Sequence, residues 1–260
     1  MSTHSQRRFT ALLAAVALLL PLLSGSAEAQ DAFATISTVY FDYKYQTTVA
    51  EPDVRKLVDF LEKERKAIIG KLGIEYSKKT EVRVYGSVGR FLADAGLKLA
   101  WRGAYYSRGT LHVQPLQALI QRKIFESSLS YELSNAILES ARDKGCPLWL
   151  RESFAVYQSG ELTNLTPPIG AKLASFSDLN QDIQIYLNPP QRSDVHYMLG
   201  QTMIFLVQRY GDRKAFGVFK EFDGNSSVEH VFKKYFGEDF TTIEKAWAKS
   251  MAYQTSPFRK

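Results

Sequence analysis

The stretch that most constrains this chain is 129–157, LSYELSNAILESARDKGCPLWLRESFAVY. It reads as two helices joined by a tight turn, because Gly145 suits a helix C-terminus and Pro147 suits the first turn of the next helix. Each helix carries one carboxylate where an apolar residue is expected. Three and four positions either side of Glu152 lie Leu148, Trp149, Ala155 and Val156, so this acid is expected to point into packing. Glu132 is similar but less extreme, with Leu129 and Ala136 on its face beside Ser128 and Asn135. A buried carboxylate costs several kcal/mol or more unless a metal, a cation or a proton compensates it. Something must answer these two acids.

The order YELSN, sixteen residues, then Glu152 within WLRESFAVY resembles the gluzincin clan of zinc metallopeptidases, above all its small bacterial peptidase MA-like members. Their pattern is His-Glu-x-x-His on one helix and Trp-Leu-x-Glu-x-x-Ala-x-Tyr on the next. Trp149, Leu150, Glu152, Ala155 and Tyr157 match the second half. In the first half only Glu132, the general-base position, is kept, and Tyr131 and Asn135 stand where the clan has its zinc-binding histidines. Two imidazoles four residues apart plus a carboxylate leave one zinc position open for water. A phenol, an amide and one carboxylate do not make an equivalent set: the phenol is neutral near pH 7, and the amide oxygen is a hard, weak donor. The resemblance therefore implies an α+β, thermolysin-like fold whose metal site has decayed, with Tyr131, Asn135 and Glu152 as former ligand positions, Glu132 as a vestigial base, and no cofactor.

Elsewhere the chain reads as an exported protein. Residues 1–29 carry Arg7 and Arg8, the apolar run ALLAAVALLLPLL, and Ala27-Glu28-Ala29, the form of a signal-peptidase site. The run is short for a membrane span and is interrupted by Pro21. A cleaved signal, and a periplasmic or secreted mature chain beginning near Gln30, are expected, with a retained anchor as the alternative. Removing the signal takes away two Arg and one Glu, so the formal charge falls from +6 to +5. That modest basic excess suits loose contact with anionic envelope surfaces. It does not indicate nucleic-acid binding, because no basic patch interleaves with aromatics. With 45% hydrophobic and 13% aromatic residues, the mature chain can bury a real core. Cys146 is the single cysteine, so no internal disulfide can form; a buried or capping thiol is expected, with an intermolecular bridge as the alternative.

Residues 30–115 are expected to form an N-terminal α/β lobe and 116–260 a helical lobe of the same peptidase-like domain. In the first, 33–48 reads as one or two strands, 51–72 as an amphipathic helix, 80–86 as an alternating strand, and 88–95 as a short helix. The charged residues 62–66 are expected on the solvated face of their helix. A hairpin closed near Ser107–Gly109 follows, with His112 as a satisfied or exposed strand histidine. In the clan, a strand at this point borders the cleft and can pair with extended peptide.

The second lobe starts with one long helix, Leu116 to Arg142, whose solvent strip would carry Ser127, Ser130 and Ser134. A loop-rich crossing to about Asp194 is expected next, with helical signal only at 171–174 and 176–179. Helices then run over 196–210 and from Asp212 to about Phe222, and two more start from capping-box spacings, Ser226 with Glu229 and Thr241 with Glu244. Tyr197 opens a helix where some gluzincins place an oxyanion donor, although an aromatic packing role is the plainer reading. His196 is a more remote candidate, and His230 is expected to be structural.

No phosphate loop, dinucleotide fingerprint, CxxC pair or nucleophile elbow occurs. Three functions stay open: a non-catalytic exported module that binds a peptide, a protein or the envelope through the remnant cleft; a metallopeptidase with an altered metal site using Glu132 as base; and a metal-free acid/base hydrolase using Glu132 and Glu152 as a carboxylate pair.

Overall fold

The computed structural model describes residues 32–98, 102–142, 144–166, 168, 175–176, 179–180, 183 and 189–254. The expected export signal at 1–29 and the helical signal at 171–174 lie outside the described residues.

The fold is α+β, built on a five-stranded mixed sheet. Alternation in FATIS and FDYKYQ gives β1 (Phe33–Ser37) and β2 (Phe41–Gln46), paired antiparallel, with Phe41, Tyr43 and Tyr45 turned into the core. The chain then enters α1 (Glu51–Leu72), which has Glu51 and Asp53 in its first turn and Gly73 as a left-handed C-cap. β3 (Thr80–Val84) returns parallel to β2. After α2 (Val88–Ala95), β4 (Ala104–Ser107) and β5 (Thr110–Val113) form the expected hairpin. Arg108 and Gly109 both have positive φ, 51° and 84°, the geometry of a two-residue loop whose twist matches its strands. β5 pairs parallel with β3, so the order is β1-β2-β3-β5-β4 and β4 lies at an edge.

The helical part begins with α3 (Leu116–Gln121) and α4 (Phe125–Arg142). The single long helix expected from Leu116 is broken. Lys123 adopts φ 56°, and the Ile124 N–H reaches back to the Leu119 carbonyl at 3.0 Å, a left-handed cap made without glycine. The break turns Ile124 onto the core, while Ile120 is left 44% exposed.

α5 (Leu148–Ser159), α6 (Pro189–Tyr210), α7 (Asp212–Gly217), α8 (Val228–Phe236) and α9 (Phe240–Gln254) follow, with short 3-10 turns at Glu161–Asn164 and Val218–Glu221. α4 packs against α1, β4, β5 and α5, and α5 packs against α6. One hydrophobic cluster runs from Phe41 of the sheet through Trp149 to Trp247. No helix among the described residues is long and apolar enough to cross a membrane.

Four further expectations are corrected. Arg65, placed with the solvated charges of α1, is buried: its guanidinium bonds the Tyr76 carbonyl and lies 3.5 Å from the centroid of the Tyr40 ring. Ser130 and Ser134 do not line a solvent strip. Both are buried, Ser130 donating to Glu64 and Ser134 to the Ser130 carbonyl, because α1 and α5 cover that side of α4. α6 starts at Pro189, so helix replaces the end of the expected loop and Tyr197 sits inside the helix. The two capping boxes fail: Ser227, one residue later, caps α8 by accepting from the His230 N–H, while Glu244 accepts from the Phe176 N–H at 2.9 Å. The tertiary contact took the second carboxylate away from its local role.

Candidate functional site

α4 and α5 bring Tyr131, Glu132, Asn135 and Glu152 to one cleft of about 600 Å³. The hairpin strand β4 forms its other wall with Arg102, Tyr105, Tyr106, Ser107 and Arg108. Local sequence explains the placement. Positions 132, 135 and 139 lie on one face of α4, three and four residues apart, and Glu139 joins the lining there. On α5, Pro147 stands at the N-cap and Asn180 accepts the Trp149 N–H at 2.9 Å, while the Trp149 ring stacks on Phe176 at 4.3 Å. That anchoring leaves Glu152 half-buried at the cleft wall.

The ranking of the two acids is reversed from expectation. Glu132 is the buried one, 4% exposed, and Glu152 reaches the cleft. Helical spacing identified an apolar neighbourhood for Glu152 but could not count the strand that covers Glu132. Both oxygens of Glu132 are engaged: Oε1 accepts from Arg102 Nη1 at 3.2 Å and Oε2 accepts from the Tyr106 N–H at 2.9 Å. The second bond runs to the outer edge of β4, so the carboxylate stands where a neighbouring strand's carbonyl would be. Glu139, seven residues on, accepts from the Tyr106 hydroxyl at 2.6 Å and pairs with Lys78 at 3.3 Å. Tyr106 is thus held to α4 by backbone and side chain alike. Gly103 permits this approach: a Cβ there would stand 2.6 Å from Ser128 Oγ and 2.9 Å from Leu119 Cδ2.

Tyr131 donates its hydroxyl proton to Glu152. Its ring lies 5.5 Å from that of His196, which is 2% exposed and has Nδ1 3.1 Å from Glu161 Oε2. His196, the more remote sequence candidate, therefore contacts the site directly through Tyr131. Tyr197 is buried and is not among the described residues that line the cleft. Asn135 Oδ1 is buried with no hydrogen-bond donor. A second cavity of about 200 Å³ shares Arg102, Tyr131 and Glu132 with the first.

The other sequence candidates do not line the cleft. His112 is buried on β5, with Nδ1 2.7 Å from the Tyr85 hydroxyl and its ring stacked on Tyr85 at 5.9 Å. Burial, then the neighbouring Arg83, pushes the His112 imidazole below its ordinary range; burial pushes the Tyr85 phenol up to about 12. Both groups are therefore neutral partners in this bond near pH 7. Cys146 is a buried free thiol pushed upward by desolvation, and His230 is exposed on α8.

The donor set does not fit a zinc ion at positions 131, 135 and 152. Tyr131 is a hydrogen-bond donor to Glu152, so its hydroxyl proton is committed to that carboxylate, and Asn135 supplies only an amide. Glu132 is held by two donors, one at each oxygen. Chemically, the arrangement offers a polar cleft with aromatic walls and fixed charges.

Arg102, Tyr106, Glu139 and Arg151 were not picked out from sequence. Only Glu139 left a signal there, its spacing of seven residues from Glu132. No family model matches the chain, and no curated protein matches it.

Proposed function

We propose that this chain is an exported, non-catalytic peptidase-like protein of gluzincin architecture, periplasmic or secreted in a bacterium. It binds a peptide, a protein or a cell-envelope partner through the cleft between α4, α5 and β4. One observation carries the proposal: two adjoining helices bring positions 131, 132, 135 and 152 to a single cleft, where Glu132 is held by Arg102 and the Tyr106 N–H and the Tyr131 hydroxyl donates to Glu152. The export signal expected at 1–29 supports the location.

Catalytic readings need Glu132 free to move a proton. Its bonds to Arg102 and Tyr106 oppose both the altered metallopeptidase and the carboxylate-pair enzyme. The direct test is turnover of a quenched fluorescent casein and of peptidoglycan fragments by purified protein, with added zinc and with chelator. No turnover above the Glu132→Gln variant is expected. Hydrolysis that Glu132→Gln abolishes would overturn the proposal.

A further inference from the structure

We infer that the cleft recognises an ammonium group, seated against Glu152 and Asn135 where a peptidase of this architecture would hold its metal; the inference rests on the cleft function proposed above. The balance of charge around the cavity points there. Three carboxylates and three guanidinium groups line it. Glu132 is matched by Arg102, and Glu139 by Lys78 together with the Tyr106 hydroxyl. Glu152 is different: a neutral phenol is its donor, bonded at Oε2. No cation is paired with it among the described residues, although it faces the cleft.

Asn135, one turn beyond Tyr131 on α4, adds an amide oxygen that is sealed from solvent and has no donor. A buried acceptor left without a donor gains a partner when a donor-bearing ligand enters beside it. The Asn135 side chain lines the cavity, and a partial rotation about its broad terminal torsion brings the oxygen to it. An ammonium carries three donors and one positive charge. It can therefore satisfy Glu152 and Asn135 together, and three tyrosines, Tyr105, Tyr106 and Tyr131, line the same cavity.

Of the three guanidinium groups, Arg102 is held by Glu132, Arg151 is buried, and Arg108 stands exposed at the hairpin tip, at the rim.

An ammonium reaches such a cleft either as a peptide N-terminus or as a lysine side chain. Three synthetic peptides separate them: pentaalanine amide with a free N-terminus, N-acetyl-Ala-Ala-Lys-Ala-Ala amide, and N-acetyl-pentaalanine amide. Binding to the full chain is measured by calorimetry at pH 7. At least one amine peptide is expected to bind about 10-fold or more tightly than the doubly blocked one. Glu152→Gln, which keeps an acceptor for Tyr131, is expected to erase that preference, and Asn135→Leu to reduce it. Equal binding of all three peptides, or binding of none, overturns the inference even if either variant fails to fold, because that comparison uses the unaltered protein. Failure here and failure of the gluzincin assignment stay distinguishable. The latter is tested by zinc binding after histidine replacement at 131 and 135, which uses no peptide.

Discussion

Replacing Glu132 with alanine is expected to destabilise the fold strongly, an outcome that a general base in an open cleft would not give. The side chains of the Arg102–Glu132 pair are only 14% and 5% exposed. Deleting one partner of a buried pair costs roughly 3–5 kcal/mol, because the other charge is left uncompensated. Arg102 retains the Tyr105 ring at 5.1 Å, which favours the lower end of that range. Loss of the acceptor for the Tyr106 N–H adds about 1 kcal/mol or more. The sum is about 4 kcal/mol, and with a urea dependence of about 2–3 kcal/mol per molar the midpoint should fall by about 1.5 M. Glu132→Gln keeps an acceptor for Tyr106 and loses the charge, so roughly half that shift is expected. Urea unfolding followed by tryptophan fluorescence measures both. A midpoint for Glu132→Ala within about 0.2 M of the unaltered protein would refute the clamp, since no buried charge would then have been stranded.

Three further outcomes follow from groups outside the cleft. Because burial holds folded His112 below its ordinary value of 6.5, the unfolded chain binds a proton that the folded chain does not; its stabilising contribution is complete above pH 6.5 and is lost as pH falls toward the folded value. An NMR titration midpoint for His112 at or above 6.5 would contradict this. Cys146 should react with a thiol reagent at the rate of global unfolding, so rapid labelling of the native protein would show that its burial is wrong. Lys123→Gly should raise stability by about 1 kcal/mol by relieving the left-handed backbone at the α3–α4 break, and a fall in thermal midpoint would show that the break is not there.

Much of the fold was legible because it rests on local patterns. The helix at 51–72, the short helix at 88–95 and the hairpin at 104–113 follow from apolar spacing, a glycine C-cap and a two-residue turn. What stayed hidden depended on distant partners. Arg65 looks like one more surface charge until Tyr40 and the Tyr76 carbonyl arrive from other elements. The break at Lys123 carries no Gly or Pro to announce it. In the site, the convergence of Tyr131, Asn135 and Glu152 was expected from the resemblance to the gluzincin motif, whereas Arg102 and Tyr106 come from a strand whose distance to α4 no spacing rule specifies. That strand decides the state of Glu132, and so the carboxylate judged the less buried is the more buried one.

Zinc titration of the Tyr131→His, Asn135→His double variant bears most directly on the proposed ancestry of the cleft. The new imidazoles, four residues apart on α4, would face Glu152 of α5 across the same cavity, a two-histidine, one-carboxylate set. Calorimetry should show one zinc ion per chain, bound at least about 100-fold more tightly than by the unaltered protein. A folded double variant that binds zinc no better than its parent would contradict the account.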